Sequence, residues 1–277
     1  MSDIAEKVLQ AITKSIKNDE MVLPTLPEVA LQVRDAAENE NANIDTLCSV
    51  LQNDTALSAR IIKVTNSPLM RTSQTITDLR TAVSRLGLQY TANLAMGLAM
   101  EQMFQATNDT IDELLRENWQ RSTEVAGISH VLCRHYTSLK PDQATLAGLV
   151  HRIGALPVLT FAENHAQLQK PNVLRALIEK LAPTLGGLIL KNWEFPESLQ
   201  NVPQEHINFS RVVDKADYAD IVMLSVLQSY IGTSHPYTQL NWDEISAFGR
   251  LGLDPSISIA DVEDLSVDME AALAYLD

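Results

Sequence analysis

The sequence predicts an all-α protein, on three observations. Apolar residues recur at spacings of three and four along most of the chain, which puts one buried stripe on a 3.6-residue helix. No stretch combines strict apolar–polar alternation with hairpin turn chemistry. Asp, Asn and Pro stand where helices need to start or stop. With 277 residues, 45% of them hydrophobic and 20% charged, the chain is long enough to bury a sizeable core.

The elements follow in chain order. Met1–Lys7 carries acids and leads into an amphipathic segment, so a signal peptide is not expected. Ile44, Leu47 and Leu51 make one stripe, and Leu57, Ile61 and Val64 the next, with Asp54 as its N-cap. Asn66-Ser67-Pro68 ends that helix, because the residue before proline is pushed out of the α region. Asp78 caps a further helix striped by Val83, Leu86, Tyr90 and Leu94, which Gly87 either interrupts or closes as a C-cap. The polar segment Gln105–Thr110 reads as a joint. Pro141 and Pro171 mark later starts. Leu156–Phe161 reads as helix rather than strand, since Pro157 is tolerated as a first helical residue. Leu174, Leu177, Ile178, Leu181 and Leu185 form another stripe, and Gly186-Gly187 inside that pattern suits close helix packing. A helix over 220–231, a loop over 232–241, a short helix over 243–251 and a final acidic helix over 259–276 complete the reading. That last helix either packs on the fold or docks a partner.

Net charge is −14, with a pI of about 4.8. An acidic surface repels the phosphate backbone, which argues against nucleic acid as a partner. Residues 56–100 run the other way: Arg60, Lys63, Arg71, Arg80 and Arg85 face one acid, Asp78. They are either solvated helix faces or a docking patch for an acidic partner or anion. Cys48 and Cys133 read as small core residues of a reducing cytoplasm and are too few for a Cys-based zinc site. No uninterrupted apolar run reaches the ~18–20 residues of a membrane span, so no membrane is expected. Nucleophile-elbow, P-loop and Rossmann signatures are missing.

Three segments together resemble the HDOD domain of bacterial signalling proteins, a relative of the HD-type metal phosphohydrolases. They are Leu23-Pro24-Thr25-Leu26-Pro27-Glu28, the run Leu51–Pro68 continued by Ile76–Gly87, and Ala147-Gly148-Leu149-Val150-His151-Arg152-Ile153-Gly154. Trp193-Glu194-Phe195-Pro196 is similar to the family's W-x-x-P segment. The resemblance covers roughly residues 15–215. It implies a two-lobe helical bundle with an HD-like second lobe, placed here as 1–107, 108–235 and a C-terminal helical extension over 236–277.

In the metal hydrolases, the resemblance implies, a histidine, an adjacent His-Asp pair and a distant aspartate bind divalent metals that activate water and neutralise a phosphate ester. The His-Asp pair maps here to His151-Arg152, and arginine is a permanent cation that repels a metal. The early histidine would fall near Trp119–Ser122, which holds none. The late aspartate would fall near Val222–Leu227, where the nearest acid, Asp220, is early. A downstream histidine pair appears as Glu205-His206. His130 and His135, five apart, cannot share one helix face. His165 and His206 are left as residues that can approach His151.

The expectation is therefore no metal, no cofactor and no catalytic residue. It is a cytoplasmic, non-catalytic signal-transduction module acting on a protein partner through Arg60, Lys63, Asn66, Arg71, Arg80 and Arg85. Asn66 has a second reading, as a cap for backbone groups at its helix end. His151, Arg152, Glu205 and His206 form the remnant pocket. There Arg152 either accepts a small anion in bidentate fashion or pairs with a local acid such as Glu163, and His151 is either a ligand or a packed residue bonded to a backbone carbonyl. The alternatives are a divergent metal-dependent phosphohydrolase acting on a nucleotide or cyclic dinucleotide, and a nucleotide or anion sensor.

Overall fold

Asp54 and Asp78 both cap as the sequence predicts, accepting Leu57 N at 2.9 Å and Thr81 N at 2.8 Å. Asn43, Asn108 and Asp217 do the same for other helices, each satisfying a backbone donor that the first turn leaves open. The computed structural model describes residues 2–18, 21–70, 74–256, 263–273 and 275–276. Among them the regular structure is helical, with no strand.

The helices are α1 Ser2–Lys17, α2 Glu28–Glu38, α3 Ile44–Leu51, α4 Thr55–Thr65, α5 Leu79–Leu86, α6 Leu88–Ala99, α7 Asp109–Tyr136, α8 Pro141–Val150, α9 Ala155–Glu163, α10 Pro171–Asn192, α11 Glu197–Gln200, α12 Val202–Glu205, α13 Tyr218–Ser229, α14 Ser246–Leu251 and α15 Glu263–Leu273. Gly87 is both the end of α5 and the start of α6, at φ 86°, a conformation open to glycine at no steric cost. Pro157 lies third in α9, not first, still within the turn whose N–H groups lack helical partners. The final helix is described from Glu263, and residues 259–262 and 274 of the expected span lie outside the described residues.

The 28-residue α7 is the spine. It packs against α8, α9, α13 and α15, while α6 bridges α2 and α8, and α10 lies on α9 and α12. One hydrophobic core runs through all of these, from Ala5 to Leu276. Residues Pro141–Glu163 are long and apolar enough to cross a membrane by length and composition, which a search for an unbroken run overlooks. Most of this stretch is buried, and it folds as α8, a turn at 151–154, and α9.

Candidate functional site

α8 ends at Val150, and the turn that follows sets His151 inward and Arg152 toward α7 and α10. His151 is 1% exposed and its Nδ1 bonds Gly148 O at 2.6 Å. His206, closing α12, is 5% exposed and its Nδ1 bonds Val202 O at 2.9 Å. A carbonyl oxygen only accepts, so each Nδ1 carries the hydrogen. The two rings meet edge to face with centroids 5.1 Å apart. Burial, then the neighbouring His206 and Arg152, hold His151 well below its ordinary pKa. Burial, with Arg152 adding to it, holds His206 down to about 4. Both are neutral imidazoles at pH 7. The packed-histidine reading of His151 therefore matches its bonding.

Arg152 is bonded through Nε to Asn118 Oδ1 and through Nη2 to Glu179 Oε1, both at 2.7 Å. It does pair with an acid, but the acid is Glu179 of α10. Glu163 is exposed at the far end of α9, so the turn at 151–154 directs the guanidinium away from it. Glu205 binds Arg211 at 3.2 Å and Asn208 and does not join the histidines. Asp220, fully buried, is taken by Arg211 and by a two-point contact with Arg250, all at 2.7 Å. His165 bonds Phe161 O and stacks on the Phe161 ring. His130 faces Tyr90 and Thr145.

A metal requires several deprotonated ligands on one centre. Among the described residues no three of His, Cys, Asp and Glu converge, and the two histidines that meet have a guanidinium beside them. The donor set does not fit a divalent cation.

What the turn does build is a cleft of about 280 Å³ over Arg152, lined also by Asn118, Arg121, Arg175, Glu179, Tyr230 and His235. Arg121 lies over the Tyr230 ring at 4.4 Å, and His235 stacks on the same ring at 3.7 Å. Sequence reasoning missed Asn118, Arg121, Arg175 and Tyr230. Only the first two were legible, three apart on the helix where the early histidine was sought.

The candidate partner surface divides. Asn66 holds its helix end as a cap: Nδ2 donates to Ile62 O and Ile76 O, and Oδ1 accepts from Ile76 N. Arg60 pairs with Glu101 and donates to Leu276 O at 3.0 Å. Arg60 and Lys63 line one open cleft with Trp119 and Leu276. Arg80 pairs instead with Asp45 of α3, and neither it nor Arg85 lines that cleft. Arg71 lies outside the described residues.

The model of the HDOD domain matches residues 23–209. A "putative metal-dependent phosphohydrolase" from Shewanella amazonensis SB2B is 30% identical, with all of both chains covered and a TM-score of 0.88. An HDOD domain protein of unknown function from Geobacter sulfurreducens shares 20% identity and a TM-score of 0.64 over 98% of this chain and 99% of that one. A "putative signal transduction protein" from Marinobacter aquaeolei VT8 shares 22% identity and a TM-score of 0.64 over 98% of this chain and 64% of that one. An uncharacterized Treponema pallidum protein is 22% identical over 243 residues, and the chain spans about half, 46%, of its length.

Proposed function

This chain belongs to the HDOD domain family, and we propose that it is a non-catalytic regulatory module that works in bacterial signal transduction through protein–protein contacts in the cytoplasm. One observation carries this reading. The position where the hydrolases place a metal-binding aspartate holds Arg152, salt-bridged to Glu179 beside two neutral, carbonyl-bonded histidines. A hydrolytic site needs charge that stabilises a metal and a developing oxyanion, and this one is organised around a fixed cation and its counter-ion. The contact surface proposed for the partner is the Arg60–Lys63 cleft, together with the cations that follow it in the sequence, Arg71, Arg80 and Arg85.

The test is elemental analysis of the untagged protein after dialysis with and without chelator, run beside a phosphodiesterase assay with added manganese. The expected result is neither stoichiometric metal nor turnover. Metal lost together with activity overturns the reading in favour of the hydrolase named for the Shewanella relative. Reversing Arg60 and Arg85 to glutamate is expected to abolish recovery of the partner in a pull-down.

A second reading, an anion or nucleotide sensor, is favoured by the arginine-lined cleft over Arg152. Guanidinium groups bind phosphate at two points. Saturable nucleotide binding lost in Arg175→Ala separates a sensor from a pure scaffold.

A further inference from the structure

The Arg60 cleft is occupied by the chain itself. Arg60 lies on α4, and its Nη2 donates to the main-chain oxygen of Leu276 at 3.0 Å while the guanidinium pairs with Glu101. Leu276 lines the same cleft and is 2% exposed. Tyr275 beside it, 1% exposed, packs its ring on His130 of α7 and bonds its hydroxyl to that of Tyr90 on α6. The far end of a segment that otherwise packs on α7 is therefore seated at the contact surface proposed for the partner.

The helix that leads into Tyr275-Leu276 has the charge that this surface calls for. α15 holds Glu263, Asp264, Asp268 and Glu270 within eleven residues and no Lys or Arg, whereas residues 56–100 are predominantly basic. Its hold is also of a kind that another protein can replace. Asp268 bonds His135 of α7 at 3.1 Å with both side chains partly exposed, a pairing that contributes little. What Arg60 takes from the segment is a carbonyl oxygen. A carboxylate in that place adds an ion pair and can meet the guanidinium at two points. The HDOD match ends at residue 209, so the domain is defined without this strap.

We propose that α15 with Tyr275-Leu276 is an internal competitor for the partner's seat, and that the partner presents an acidic segment carrying an aromatic–leucine pair. With the strap down, the Arg60 guanidinium and the Tyr90–His130 pocket are engaged and the seat is taken. With the strap lifted, the same groups receive the partner's segment. A site that is open part of the time binds more weakly by the fraction that is open. Weakening the strap therefore raises affinity for such a segment, whereas loss of a contact made to the ligand lowers it. The proposal rests on the partner-binding reading above and supplies the partner's chemistry and its control.

The experiment is a fluorescence-anisotropy titration of the full chain into a labelled synthetic peptide of residues 263–277. The peptide is expected to bind Tyr275→Ala at least about tenfold more tightly than the unaltered chain. Tyr275→Phe, which keeps the ring and loses the hydroxyl contact, is expected to gain about threefold and carries the test if Tyr275→Ala does not fold. Arg60→Glu added to either variant is expected to remove the gain, and a peptide with Tyr275→Ala and Leu276→Ala is expected not to bind. Equal affinity for the unaltered chain and the Tyr275 variants, no saturable binding to those variants, or binding that survives Arg60→Glu overturns the proposal. The titration is read without the partner. A positive phosphodiesterase assay, or a pull-down that Arg60 and Arg85 reversal leaves unchanged, would sink the partner-binding reading and leave the strap exchange as it stands, so the two failures are distinct.

Discussion

The buried histidines determine how the molecule meets acid. Burial holds His130 and His206 down to about 4 and His151 well below its ordinary value. An unfolded chain protonates its histidines from about pH 6.5. Over the window from about 6.5 down to about 4 the unfolded state therefore binds more protons, and stability is full above that window and lost as pH falls through it. Urea unfolding at pH 5 is expected to give a free energy at least about 2 kcal/mol below that at pH 7, with a smaller gap in His206→Gln. Equal stability at the two values would contradict a neutral His206. At this scale the sequence was half legible. Arg152 was conspicuous because it stands where a ligand is required. Its partner Glu179 was not, since pairing 27 residues away depends on how α10 lies across the turn after α8.

Individual helices are fixed by a few contacts that spacing alone does not announce. Gly186 was readable as a close-packing residue, but its counterpart Gly154 was not. A Cβ on Gly154 would lie 2.0 Å from Ala182 O and 2.5 Å from Gly186 N. Gly154→Ala is thus expected to push α9 from α10 and cost about 1–3 kcal/mol, measured as a shift in the urea midpoint. The six-residue α14 is too short to persist alone and is tied to α13 by the two-point Arg250–Asp220 contact. Removing a buried charge strands its partners. Asp220→Asn is expected to cost about 3 kcal/mol and to speed amide exchange in α14 before α7. Exchange that rises uniformly would mean that this pair does not hold α14 as a unit.

Across the whole molecule, the fold class and several helix ends were legible because periodicity, caps and prolines act within a few residues of themselves. That the last helix packs on the fold was one of the two readings of its sequence, but the seat of α15 was not legible. It lies on α7 so closely that a Cβ on Gly127 would meet Ala272 O at 2.1 Å. His135 binds Asp268 at 3.1 Å, and beyond the helix Tyr275, 1% exposed, enters a polar pocket of Tyr90 and His130. The same two histidines that could not share a metal thus serve one strap from different faces of α7. Tyr275→Ala is expected to cost about 3–5 kcal/mol and to loosen α15 in hydrogen exchange while α9 and α10 stay protected. The Tyr90–Tyr275 hydroxyl contact also closes a loop of 185 residues. Loop closure on that span costs more entropy than pairing α7 with α8 across a single turn, by about 0.6 kcal/mol for each doubling of length. The receiving pocket has to be assembled before anything can enter it, which makes Tyr275 a late arrival on the folding pathway. A contact that no local pattern in the sequence encodes is thus expected to form after the local helix pairs, read as late amide protection of α15 in pulse-labelled refolding.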